Sequence, residues 1–175
     1  PYTMQVSVDS QSLLVTDSGT LSFTDVDLAD GHNVSVTAAG DGYLGSLVAS
    51  VDDASTGDGT GTIRWDFSVA NSAVQFLAEG QQLVQTYIVA VSDGAGSTDE
   101  ETVTITITGA NDAPVITNAL SLGDVVEDVV LDTSGQVFFT DVDLADGHNV
   151  TSVADAEGYF GTFSATLADS AAGDG

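Results

Sequence analysis

The sequence predicts an all-β protein made of antiparallel β-sandwich repeats in tandem. Segments such as Met4-Gln5-Val6-Ser7-Val8, Ile63-Arg64-Trp65-Asp66-Phe67-Ser68-Val69 and Val103-Thr104-Ile105-Thr106-Ile107-Thr108 alternate apolar and polar residues. A period of two is the mark of strands with one buried face. Gly- and Asp-rich stretches at 56–61 and 93–99 separate such segments and read as turns. The twelve residues Phe23 to Val34, FTDVDLADGHNV, recur unchanged as Phe139 to Val150, and self-similarity at a fixed offset marks a repeat architecture.

In chain order, Met4–Val8 opens as a strand, and Phe23 closes another just before Asp25. Ile63–Val69 is a half-buried strand, whereas Tyr87-Ile88-Val89-Ala90-Val91 is more continuously apolar and is expected at the centre of a sheet. Asn71–Gly80 alone suggests a helical turn. Trp65, Phe67, Phe76, Tyr87 and Phe23 are expected in the core, because large aromatic side chains dominate core burial. Several strands at short spacing, with no crossover helices, predict an antiparallel sandwich.

Phe139 lies 116 positions after Phe23, and the same offset carries Gly42-Tyr43 to Gly158-Tyr159, Gly45 to Gly161, and Gly57-Asp58-Gly59 to Gly173-Asp174-Gly175. The predicted organisation is a complete repeat over 1–110, a linker over 111–115 and the N-terminal half of a second repeat over 116–175. Residues 1–59 thus have a second copy, whereas 60–116 occur once. The segment after about residue 116 is expected to lack partner strands, and to be poorly ordered or to complete itself by strand exchange with another chain.

The charge narrows the partners. There are 27 acids against one cationic side chain, Arg64, and the net charge is −26. Such a chain repels polyphosphate and anionic lipid, so neither nucleic acid nor a membrane surface is an expected partner. Cysteine is absent, which excludes disulfides, thiol nucleophiles and cysteine-ligated metals. No run reaches the roughly 18 apolar residues of a membrane span. The chain opens without a charged leader and apolar run, and is expected to be a piece of something longer.

Three acidic clusters fall at predicted strand ends. They are Asp25-Val-Asp27 with Asp30-Gly-His-Asn33 and its copy from Asp141, Asp143 and Asp146; Ser92-Asp93-Gly94; and Gly109-Ala-Asn111-Asp112-Ala-Pro114. Calcium takes six to eight oxygen ligands from carboxylates, amides and backbone carbonyls. An Asp-x-Asp pair at a strand end can aim two carboxylates at one ion, and clustered acids repel one another unless a cation is present. The sequence therefore predicts Ca2+ as the bound ion, without an EF-hand loop or a glycine-rich nonapeptide array.

From Gly19 to Pro114 the chain resembles the bacterial VCBS repeat, a cadherin-like module of large surface adhesins. The resemblance runs through GTLSFTDVDLADGH, IRWDFSV, VQFLAEGQQL, YIVAVSDG and VTITITGANDAPVI. It implies a cadherin/Ig-like sandwich, an extracellular or bacterial cell-surface location, a role in cell adhesion and biofilm formation, and calcium at the junctions between repeats. On the cadherin pattern, Asn111 and Asp112 are the linker ligands, Glu127 is the glutamate of the next repeat's first strand, and Asp141 and Asp143 are its Asp-x-Asp pair. Glu79 lies where cadherins carry an acidic segment, although Ala78 replaces the first acid of that segment. Asp25, Asp27 and Asp93 correspond to the equivalent site at the top of the first repeat, where Gln11 stands in the position of Glu127.

The expected function is a calcium-stiffened spacer whose partners are neighbouring repeats of the same chain. The alternative is a recognition module for a glycan or surface protein, with calcium as bridge or brace and with Tyr43 and Tyr159 as exposed sugar-stacking rings. Catalysis is not expected: His32 and His148 read as exposed turn residues, and no nucleophile motif accompanies them.

Overall fold

The computed structural model describes residues 2–7, 13–120, 123–129, 132–155, 157–158 and 160–168. Val8, Gln11, Tyr159 and Gly173–Gly175 lie outside the described residues. The chain divides into two compact units, Pro1–Ala110 and Asn111–Gly175.

Among the described residues the first unit is a sandwich of seven strands. Its strands are β1 (Tyr2–Ser7), β2 (Leu14–Thr24), β3 (Asn33–Ala38), β4 (Ser46–Ala54), β5 (Thr60–Ala70), β6 (Gln82–Ser92) and β7 (Thr98–Thr108). One sheet has the order β1-β7-β6-β3 and the other β2-β5-β4. This is the Greek-key order of an immunoglobulin-type sandwich, with the first strand joined to the edge of the last. All pairs are antiparallel except β1 with β7. That pair is parallel because the chain leaves β1 for the opposite sheet, so no hairpin constrains its direction.

The predicted alternation becomes a real inside and outside. On β5, Ile63, Trp65, Phe67 and Val69 point into the core while Arg64 and Asp66 point out and pair at 2.8 Å. On the facing sheet Tyr87, Val89, Val91, Val103, Ile105 and Ile107 are buried and close the same core. Burial at about 25 cal/mol per Å² of apolar surface is what holds the two layers together. The continuously apolar segment is interior, since β6 lies between β7 and β3. The expected helical turn is a single 3-10 turn at Asn71–Ala73.

Phe76 is a correction to the expected core. It is 37% exposed, in the connection after that turn, while its neighbours Val74 and Leu77 are the buried residues. Phe23 is partly buried: it packs on the core edge and makes a tilted ring contact with His32.

The second unit contains β8 (Val115–Leu120) and β9 (Gln136–Thr140), paired antiparallel from Val115 opposite Thr140 to Leu120 opposite Gln136. Several of its apolar residues occupy counterparts of first-unit core positions and are open to solvent. Leu47 is 6% exposed and Phe163, 116 positions on, is 81% exposed. In the first unit β5, β6 and β7 supply the opposing side chains. Among the described residues no helix is long and apolar enough to cross a membrane.

Candidate cation site at the Asp-x-Asp loops

Strand directions sort the first unit's acids between two poles. β2, β4 and β6 end, and β3, β5 and β7 begin, at the same end of the sandwich. Asp25, Asp27 and Asp93 therefore share one pole. Glu79 lies at the other, where Gly80 N–H donates to Gly109 O at 3.1 Å and Gly109 N–H donates to Gln81 O at 2.9 Å.

The loop after β2 is shaped by its own side chains. Asp27 N–H donates to Asp25 Oδ1 at 2.9 Å, closing an Asx turn, and Asp30 N–H donates to Asp27 O at 3.0 Å. Asp25 N–H reaches across to Gly59 O at 3.0 Å. Gly59 has φ +79°, and a Cβ there would lie 2.8 Å from Asp25 O, so both backbone shape and proximity require glycine.

The histidine correction is substantial. The His32 side chain is only 3% exposed. Its Nε2 lies 2.9 Å from Asp25 Oδ2 and its Nδ1 lies 3.0 Å from Ala54 O, so it clips the Asp-x-Asp loop to the end of β4. The ring also packs against Phe23 at a tilt of 57°, with centroids 4.7 Å apart. The His148 side chain is 10% exposed, with Nε2 2.8 Å from Asp141 Oδ2 and its ring 4.9 Å from that of Phe139. Sequence reasoning placed these residues in solvent because a glycine-flanked loop histidine looks like a turn. The usable signal was the seven-residue spacing from Asp25 to His32, repeated from Asp141 to His148.

Electrostatics follow from these bonds. The Asp27 backbone N–H, then the His32 side chain, hold the Asp25 carboxyl below its ordinary value, while the charge of Asp93 opposes them. Asp93 is held low mainly by Ala95 N–H, which donates to its Oδ1 at 2.7 Å.

The second Asp-x-Asp loop repeats this geometry and adds to it. Asp143 N–H donates to Asp141 Oδ1 at 3.1 Å, and Asp146 N–H donates to Asp143 O at 3.0 Å. In addition, Asp112 N–H donates to Asp143 Oδ2 at 2.6 Å. The pairing of Val115 with Thr140 makes this contact, because it brings the linker alongside the residue preceding Asp141. Asp143 is only 1% exposed, and its Oδ1 has no hydrogen-bond partner.

Burial pushes the Asp143 carboxyl above its ordinary value. The Asp112 N–H opposes that shift, and the charges of Asp146, Asp112 and Asp141 add to it. For Asp141, burial is outweighed by the His148 bond and the Asp143 N–H, so its carboxyl is held low. A buried carboxylate with a bare oxygen, surrounded by other acids, is a costly arrangement that a cation relieves.

The predicted ligands are not all gathered. Asn111 is exposed, and its side chain donates to Asp112 O at 2.8 Å. Glu127 and Glu79 are exposed. Glu127 sits in a turn closed by Val129 N–H to Val126 O at 3.2 Å. Among the described residues, no three His, Cys, Asp or Glu side chains converge as a ready ligand set. Asp146, beside Asp143, is the acid that the sequence grouped with the loop but did not place in the site.

No protein-family model matches the chain, and no curated protein matches it. Among solved structures the chain is similar to AggA, the major subunit of aggregative adherence fimbriae type I from Escherichia coli. The identity is 18% and the TM-score 0.39, and the match covers 60% of this chain and 89% of that one. A likeness that loose leaves the site to be read from its own geometry.

Proposed function

We propose that this chain belongs to a calcium-stiffened spacer of a bacterial cell-surface adhesin, with calcium held where one sandwich repeat follows another. The reading rests on Asp143, a buried carboxylate with a bare oxygen beside Asp112, Asp141 and Asp146. Its donors are hard oxygens, the kind calcium selects. Asp141, Asp143 and Asp112 would supply carboxylates, Asn111 its amide oxygen, and the exposed Glu127 would add to a shell of six to eight. Asp25, Asp27 and Asp93 would hold an ion at the corresponding pole of the first unit.

Acids at both poles suit a module joined end to end, and without metal the like charges at a joint repel one another and leave it without a fixed geometry. Calcium at each joint neutralises the local repulsion and fixes the hinge, with Pro114 restricting the linker and keeping Ala113 extended. The resemblance to VCBS repeats supports the same role in adhesion and biofilm formation. The recognition alternative is weaker at Tyr43, whose hydroxyl accepts Thr86 N–H at 3.1 Å and whose ring meets Tyr87 edge-on. A tyrosine so engaged is packing, not a free sugar platform.

The test is calcium calorimetry on this chain, with small-angle scattering of a chain carrying two complete repeats. Calcium is expected to bind in the range of about 10⁻⁴–10⁻³ M typical of extracellular modules and to lengthen the tandem. No binding heat, with the same maximum dimension in calcium and in EGTA, rules the spacer reading out.

A further inference from the structure

β3 closes one side of the four-stranded sheet, and among the described residues it pairs with β6 alone. Ala39 N–H donates to Thr86 O at 2.9 Å, continuing the register that sets Asn33 opposite Ser92. Hydrogen-bonded positions alternate along an antiparallel pair. Asn33, Ser35 and Thr37 therefore turn their backbone groups to β6, while Val34, Val36 and Ala38 turn theirs to the outer edge. Among the described residues nothing bonds to the outward groups of those three. Edge strands that stay single are usually blunted by charge, proline or a bulge. β4, the edge of the other sheet, is blunted in this way, since its register shifts between Val51 and Asp53, beside the acid Asp52. β3 pairs without a register shift, and Gly31–Gly40 contains no acid, lysine, arginine or proline. Asn33, Ser35 and Thr37 on its solvent face are exposed.

We propose that β3 pairs with β3 of a second copy of this chain, antiparallel about a twofold axis at Val36. Val36 then faces its own copy, Val34 faces Ala38, and Ser35 faces Thr37. Every outward N–H and C=O of Val34, Val36 and Ala38 gains a partner in this register. Moving the axis to Ser35 or Thr37 leaves Ala38 or Val34 without a partner inside β3. Two observations select a second copy as the occupant. A strand meeting itself antiparallel is self-complementary and closes as a twofold dimer. The net charge of −26 makes two copies repel wherever acids meet, so they approach best along an uncharged strand. A cationic partner would be drawn instead to the acidic loops at the poles. The contact lies on the flank of the sandwich, so it joins copies side by side and leaves the Asp-x-Asp loops free. An uncharged run recurs as Asn149–Ala154, and in a string of repeats each weak contact raises the effective concentration for the next.

Register gives a stringent test in a chain with no cysteine of its own. Full chains carrying Ser35→Cys or Thr37→Cys, one of them labelled with 15N, are incubated singly and mixed in a glutathione redox buffer with EGTA. Opposed residues that do not exchange backbone bonds lie about 4.5 Å apart between Cα atoms, inside disulfide range, whereas diagonal ones lie about 7–8 Å apart. The expected product is a disulfide joining the two variants, lost when either is incubated alone. In sedimentation equilibrium the wild type should dimerise, more strongly as salt rises from about 0.05 to 0.5 M and screens the repulsion. Val36→Pro removes an outward N–H and no bond to β6, and should stay monomeric. Trp65 fluorescence checks that each variant is folded, and if the proline variant is not, the cysteine pair decides alone. Equal yields in mixed and single incubations overturn the proposal, as does a wild type that stays monomeric at the higher salt or a folded Val36→Pro that still dimerises. Because the assays are run without calcium, their outcome is separate from that of the metal titration.

Discussion

Asp143→Asn is expected to change sign with calcium. The substitution neutralises a side chain that is 1% exposed and keeps its size, and the amide oxygen can still accept Asp112 N–H. Without metal, the wild type buries an unpartnered carboxylate oxygen among other acids, while the variant leaves an uncharged amide N–H group there; a buried neutral group without a partner costs about 1–3 kcal/mol and a charged one more. Against that gain, the bond to Asp112 loses its charge assistance, and such bonds are roughly twice as strong as neutral ones worth about 1 kcal/mol. The metal-free variant should therefore be more stable by about 1 kcal/mol. With free calcium a hundredfold above the dissociation constant, the wild type gains about 2.7 kcal/mol that the variant largely forgoes. The swing between the two conditions is thus about 3–4 kcal/mol.

The single tryptophan is in the first unit, so amide hydrogen exchange at Asp112 and Val115–Ala119 is the appropriate readout for the second. pH supplies a control. The Asp143 carboxyl is raised in the fold, so its charge destabilises the metal-free protein as pH climbs through the folded value. The metal-free gap between wild type and variant should close as the pH falls below 3.8. An effect of the same sign in calcium and in EGTA would refute the assignment of Asp143 to a cation.

Gly19→Ala puts a Cβ 2.5 Å from Trp65 Cζ2 and 2.7 Å from Cε2, so the buried indole must move. The expected loss is about 2–3 kcal/mol, read by urea unfolding with tryptophan fluorescence, with the exposed Thr20→Ala as a near-neutral control. His32→Ala removes both hydrogen bonds that hold the first loop and the ring contact with Phe23, and should cost about 2–3 kcal/mol in the same assay. Asp17 faces inward from β2 with a buried Oδ2 that has no partner, and burial raises its pKa. Its folded value lies above the unfolded one, so stability is lost as pH rises; Asp17→Asn should raise the melting temperature at pH 7, with the gain vanishing below pH 3.8.

Much of the fold was legible because a strand writes its two faces into alternate residues. Ile63, Trp65, Phe67 and Val69 could be placed inside and Arg64 and Asp66 outside without coordinates. Phe76 was misplaced because it lies beyond the end of β5, where no periodicity tells a buried aromatic from an exposed one. The parallel pairing of β1 with β7 was equally invisible, since alternation says nothing about the direction of the neighbouring strand.

The sequence by itself determined the layered β architecture, the repeat offset, the acid-rich strand ends and the absence of cysteine chemistry, all of which depend on local pattern and composition. Only the tertiary structure decided that His32 clips its loop to β4, that His148 turns inward onto Asp141, and that Asp143 is sealed while its twin Asp27 is open. The physical reason is that burial depends on which strand lies alongside. The two identical twelve-residue stretches have different neighbours here: β9 pairs with β8, whereas among the described residues β2 pairs with β5.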